Sequence, residues 1–258
     1  FDMTFSLIST RNLPICFPPA INSQVPCETM NPRLIPTFLC PSAPEAPSDY
    51  SQIVGTLGPT APPLMPRTDY SPMRGAHTSL LDIIPAVTYN TSTNCHDLQE
   101  VCNNGMLGVA PGNTTVGFGT LINRPRVKFG DVSDGLSNTI CIIEQAGRQT
   151  LWFRGQALNI ADTNYSGSFI NSSFVDWNVA RNVRALNGLN RATPGDTTGG
   201  TQVVNVFNIE QPYSFHSGGV QSVRGDGSVF FMAQAIDAPT FYALMARNDG
   251  LVFTDPGN

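Results

Sequence analysis

Fourteen of the 21 prolines fall within the first 72 residues, in runs such as LPICFPPA, CPSAPEAP and GPTAPPLMP. Each proline removes a backbone donor and fixes φ near about −65°, so no long helix can run through this part of the chain. Apolar residues still lie between the prolines, which suits an ordered, extended segment wrapped over a core better than a free linker. From 73 to 125 the sequence turns rich in Gly, Asn and Thr, as in GVAPGNTTVGFG, and predicts irregular loops with short strands. A chain of 258 residues with 41% hydrophobic content can bury a sizeable core. The expected organisation is one globular domain over 1–258: an extended wrap (1–72), a loop-rich insertion (73–125) and a main sheet with a C-terminal helix (126–258).

Strand signals strengthen after residue 125. RVKFGDVSDGLSNTICIIEQAG reads as a short run, a helical turn capped by Asp131 and closed by Gly135, then a strand from Thr139 to Glu144. TLWFRGQA, GSFINSSFVDW and TQVVNVFNI are further strand candidates between Gly, Asn and Asp turns. In SVRGDGSVFFM, Asp226 and Gly227 predict a tight two-residue hairpin, since both tolerate positive φ. DAPTFYALMARNDG predicts a short helix with Asp237 as cap and Pro239 in its first turn. The fold class expected is α+β and β-rich, built on an antiparallel sheet.

Composition removes several functions. Charged residues make up 13% of the chain, with a net charge of −5 and Lys128 as the single lysine. About 25% is usual, and no basic stripe exists to neutralise phosphates, so nucleic acid is not an expected partner. No apolar run approaches the roughly 20 residues of a membrane helix. The sequence also lacks a G-x-S-x-G elbow, an HExxH motif, a P-loop and a dinucleotide fingerprint. His77, His96 and His216 sit in unrelated contexts, so an enzyme is not expected.

The six cysteines contain no CxxC pair and no zinc-type Cys/His spacing, which favours disulfides and an oxidising compartment. Cys95 with Cys102 and Cys16 with Cys27 would close short loops, leaving Cys40 with Cys141. Cys141, inside the apolar TICIIE, reads equally as a buried thiol. No cofactor is expected. GDVSDG offers Asp131 and Asp134 for calcium, but lacks the alternating carboxylates of a calcium-hand loop. Trp152, Trp177, Tyr165 and Phe169 can stack on sugar faces, with Asn171 and Asp176 supplying hydrogen bonds, although tryptophans in a β-rich domain serve a core as readily.

His216 precedes a flexible Ser-Gly-Gly, and nine residues separate it from Asp226 and Gly227. This spacing resembles the His-x9-Asp-Gly processing-associated motif of a large bacterial family of prepilin-like proteins, abundant in planctomycetes, of unknown function and also labelled solute-binding-protein-like. FLCPSAP (residues 38–44) resembles the family's Cys-Pro-Ser segment. DVSDGLSNTICIIE resembles its Asp-Gly-x-Ser-Asn-Thr block ending in Glu, here Asp134, Gly135, Ser137, Asn138, Thr139 and Glu144. The resemblance implies a pilin-like head domain, exported to the cell surface or beyond, that associates with itself or with other pilin-like subunits. Family members open with a basic leader and a long apolar helix, through which any membrane contact would be made, and FDMTFSLIST carries neither. The chain is therefore expected to be the head of a longer precursor or to have lost its anchor. His216, Asp226 and the Asp134 to Glu144 block are read first as structural ties and second as a ligand site. A glycan- or solute-binding module is the alternative function.

Overall fold

The computed structural model describes residues 35–44, 48–49, 64–65, 67–89, 91, 100–108, 127–164, 172–173 and 182–251. Its main sheet has four strands, all antiparallel: β3 (Tyr70–Pro72), β5 (Ile140–Glu144), β9 (Gly219–Arg224) and β10 (Val229–Ala233), in the order β10-β9-β5-β3. The described residues also form three small pairs: β1 (Ser48–Asp49) with β2 (Leu64–Met65), β4 (Gly75–Ala76) with β8 (Asn182–Val183), and β6 (Leu151–Phe153) with β7 (Gln156–Leu158). The β4–β8 pair is parallel. Helices are short: α1 (Thr78–Leu81) and α2 (Ala238–Met245). No helix among the described residues is long and apolar enough to cross a membrane.

Helix α2 forms where its sequence predicts. Asp237 accepts a hydrogen bond from the Thr240 amide at 2.9 Å, and Pro239 occupies the first turn, where its missing N–H costs nothing. Phe241, Tyr242, Leu244 and Met245 are buried with Ile140 and Ile143 of β5, Val220 of β9, Phe230 and Met232 of β10, and Leu80 and Leu81 of α1. A second cluster joins Leu151, Phe153 and Leu158 of the β6–β7 hairpin to Leu186, Val206, Phe207 and Ile209.

The single strand expected over TLWFRGQA is a hairpin. Arg154 and Gly155 form its two-residue turn with φ of 49° and 78°, the primed geometry that matches strand twist. TQVVNVFNI does not form a ladder strand. Val203 and Val204 belong to the first cluster, and Val206, Phe207 and Ile209 to the second. The chain crosses between the two cores at Asn205, which adopts φ 60°. Only isolated bridges, Leu186 with Gln202 and Phe153 with Phe207, mark a pairing there. Gln211 takes the place of a partner strand, donating to the Arg184 and Gln202 carbonyls and accepting from the Val206 amide.

The hairpin between β9 and β10 also departs from expectation. Its loop is three residues, Gly225 to Gly227, closed by the Gly227 amide donating to the Arg224 carbonyl at 3.0 Å and the Arg224 amide donating to the Ser228 carbonyl at 2.9 Å. Gly227 alone takes the left-handed position, at φ 87°. Asp226 does not share it and instead accepts from the Ser228 amide and hydroxyl at 2.9 and 2.7 Å. These hydrogen bonds, the hydroxyl first, hold the Asp226 carboxyl below its ordinary range.

Candidate functional site

The three sequence motifs meet at one place. Cys40 follows a tight turn over Pro36–Phe38 and is held to the sheet by Asp69, a fully buried residue just ahead of β3. The Asp69 carboxylate accepts from the Cys40 amide and the Gly147 amide, each at 3.0 Å. Its own amide donates to the Phe38 carbonyl, and its carbonyl accepts from the Gln145 amide. Asp69 thus fastens the Cys-Pro-Ser segment to the end of β5, where Glu144 pairs with Tyr70 of β3.

His216 reaches the same spot from the other side. Gln145 bridges Tyr213 in parallel fashion, so the chain entering the His motif runs beside the end of β5. The His216 amide donates to the Ser214 hydroxyl at 3.1 Å, and that hydroxyl donates to the Gly219 carbonyl, closing the Ser217, Gly218 and Gly219 turn. Gly218 supplies φ 88° there. Phe215 packs on Cys40, Ala43 and Ala146.

The resulting cluster comprises Cys40, Glu144 and His216, whose donor atoms all lie within 4.8 Å of one another. His216 Nε2 stands 3.3 Å from Glu144 Oε1 and 3.5 Å from Cys40 Sγ. Glu144 is fully buried, while the His216 side chain keeps 31% of its surface open to solvent. Glu144 Oε2 accepts from the Gln221 amide at 2.9 Å, whereas Oε1 makes no hydrogen bond. Burial, and then the Glu144 carboxylate, push the Cys40 thiol up to about 11. Burial and the same carboxylate raise Tyr70 to about 12. A cysteine beside a histidine suggests a nucleophile, but nucleophilic cysteines have lowered pKa values. At neutral pH this thiol keeps its proton.

The remaining motif residues act through the backbone. Asp134 accepts from the Asp249 and Gly250 amides at 2.7 and 3.2 Å, which docks the segment after α2. Gly135 takes φ 96°, and its carbonyl accepts from the Asn138 amide and the Thr139 hydroxyl. Asn138 also donates to the Asp134 carbonyl, and Ser137 is exposed. The carbonyls of Thr139 and Leu136 accept from the Gly225 and Asp226 amides, so the second motif holds the hairpin loop of the third. Asp131 sits at the end of its helical turn, not at the start, and accepts from the Lys128 amide at 2.7 Å. Both carboxylates of GDVSDG are therefore engaged by amides.

Two candidate groups change. Cys40 and Cys141 are free thiols, not a disulfide: Cys40 faces Glu144 and His216, and Cys141 lies at the register shift of β5 against β9. Cys102 is disulfide-bonded, with its partner outside the described residues. The pairings proposed for Cys16, Cys27 and Cys95 fall outside those residues too, as do Trp177, Tyr165, Phe169, Asn171 and Asp176. Trp152 meets the Phe215 ring edge-on, centroids 4.9 Å apart. A separate cleft of about 330 Å³ is lined by Val87, Asn104, Tyr242, Asn248, Asp249 and Leu251.

The sequence offers Cys40 both as a disulfide partner and as part of the Cys-Pro-Ser segment, and carries no signal for Asp69. The order of the three motifs was the clue available for Cys40. A family model described as Protein of unknown function (DUF1559) matches residues 8–239, a span that contains all three. No curated protein and no solved structure matches the chain.

Proposed function

We propose that this chain, which belongs to the family described as Protein of unknown function (DUF1559), is the head domain of an exported, pseudopilin-like structural protein, a subunit of a cell-surface or extracellular filament. The observation that carries this reading is how the motif residues are used. Cys40, Glu144 and His216 join three distant segments, Asp134 docks the chain after α2, and the Asp226 loop rests on the Asp134 to Glu144 block. Residues spent on fastening loops to a sheet suit a domain that must persist outside the cell. The protonated Cys40 thiol, beside the only described histidine of the cluster, argues against nucleophilic catalysis.

The test starts at the gene. Reading the locus upstream of the Phe1 codon should reveal a basic leader and an apolar helix of about 20 residues or more. The full-length product, tagged at its C-terminus, should then appear in filaments or a surface fraction under the electron microscope. A start codon directly before Phe1, or a product confined to the cytoplasm, would overturn the reading.

A second reading, an extracellular module for a glycan or another small solute, draws on the cleft at Asn104, Tyr242 and Asp249, whose volume lies at the low end for ligand sites. Saturation-transfer NMR against neutral oligosaccharides tests it. Binding that Asn248→Ala abolishes would favour this module, and no transfer from any sugar would remove it.

A further inference from the structure

We propose that Cys40 Sγ, Glu144 Oε1 and His216 Nε2 form a binding site for a zinc-class divalent transition metal ion. A tetrahedral zinc ion takes sulfur at about 2.3 Å and nitrogen or oxygen at about 2.0–2.1 Å, which sets nitrogen and oxygen ligands about 3.3 Å apart and sulfur and nitrogen ligands about 3.6 Å apart. The corresponding distances here are 3.3 Å between His216 Nε2 and Glu144 Oε1 and 3.5 Å between His216 Nε2 and Cys40 Sγ. Two of the three donor separations thus match the corners of a coordination tetrahedron, and all three donors lie within 4.8 Å of one another.

A second observation points to the same ligand. Glu144 is fully buried, its Oε2 is fixed by the Gln221 amide, and its Oε1 receives no backbone amide and is turned to the His216 Nε2 at 3.3 Å. A buried carboxylate is costly unless its charge is compensated, and a metal ion held between Glu144, His216 and Cys40 would compensate it. Supports around the donors are in place: Asp69 fixes the Cys40 backbone, and the Ser214 hydroxyl fixes that of His216. Such outer contacts orient metal ligands.

The chemistry of the set selects the ion. A thiolate and an imidazole suit zinc and its neighbours, whereas calcium and magnesium take oxygen donors. On binding, Cys40 forms the sulfur–metal bond and releases its thiol proton to solvent. His216 gives the Nε2 lone pair and keeps its proton on Nδ1. The three protein donors leave a fourth position, which water would take, and the His216 side chain keeps 31% of its surface open to solvent. This inference stands apart from the assembly reading: an unassembled domain can bind metal, and a filament subunit can lack it.

The experiment uses the whole chain, reduced and stripped with a chelator. Titration calorimetry with zinc chloride should show one equivalent bound, and calcium chloride should give no heat. Cobalt(II) should produce visible d–d bands with a near-ultraviolet thiolate charge-transfer band. Cys40→Ser should lose the charge-transfer band, His216→Ala should weaken zinc binding at least about tenfold, and Cys141→Ser should change neither. Zinc should also protect Cys40 from alkylation in the unmutated protein, a readout that needs no variant to fold. Absence of both zinc heat and a thiolate band in the unmutated chain would overturn the site, as would a folded Cys40→Ser protein with unchanged zinc affinity.

Discussion

Asp69→Asn isolates the contact that brings the Cys-Pro-Ser segment to the sheet. Asp69 is fully buried, and its two carboxylate oxygens each accept one backbone amide at 3.0 Å, from Cys40 and from Gly147. An asparagine has one acceptor oxygen, so its amide nitrogen must oppose the second N–H. One hydrogen bond to a charged group disappears and a buried donor is left without a partner, at about 1–3 kcal/mol. Repulsion between the opposed donors places the expected loss near the top of that range, about 2–3 kcal/mol. In a domain of this size the melting temperature should fall by about 5–10 °C. Thermal and urea unfolding, followed by circular dichroism, measure this directly. Because Asp69 pins the Cys40 backbone, mass-mapped alkylation under native conditions should also find Cys40 labelled faster in the variant. Stability within about 0.5 kcal/mol of the parent, the ordinary range for an uninvolved surface change, would refute the clamp.

Three further outcomes follow from the geometry. Gly227 adopts φ 87° with open space where a Cβ would go, so Gly227→Ala should cost only the left-handed strain, about 1 kcal/mol net. Asp226→Asn should be nearly silent in unfolding experiments, since asparagine can still accept from the Ser228 amide and hydroxyl. Asp249 carries a pKa raised to about 6, by burial first and by the Asp134 charge as well. A raised acid favours folding below its unfolded value near about 4, and that contribution is lost as the pH climbs through about 6. Asp249→Asn keeps the oxygen that accepts from the Leu251 amide at 2.7 Å. It should therefore stabilise the protein at pH 7 by about 1 kcal/mol after allowance for solvent screening, and the gain should vanish near pH 4; an equal gain at both pH values would contradict the assignment.

The parts of the fold written in local chemistry were legible. The Asp237 cap and Pro239 announced α2, the apolar run of TICIIE announced β5, and proline density excluded long helices from the first 72 residues. What failed depended on distant partners. TQVVNVFNI has strand composition, but its valines are divided between two cores, so burial outweighs pairing. The Asp-Gly hairpin was located correctly, yet its loop length is fixed by the Leu136 and Thr139 carbonyls, which lie more than 80 residues earlier. The site was half legible: Cys40, Glu144 and His216 all lay in recognised motifs, but Cys40 also read as one more cysteine to pair, and nothing in the sequence joined it to the other two. Asp69 offered nothing, since an aspartate in TDYS gains its role only when two remote amides converge on it.

The central claim is that three motifs, far apart in the chain, form one energetic unit around Glu144. A double-mutant cycle of Glu144→Gln and His216→Ala, measured by urea unfolding at neutral pH with chelator present, tests it most directly. Residues in one buried polar network couple by about 0.5–3 kcal/mol. With Nε2 and Oε1 at 3.3 Å and Glu144 fully buried, a coupling of about 1 kcal/mol or more is predicted. Additive losses, with coupling below about 0.3 kcal/mol, would mean that the two side chains are neighbours without being partners.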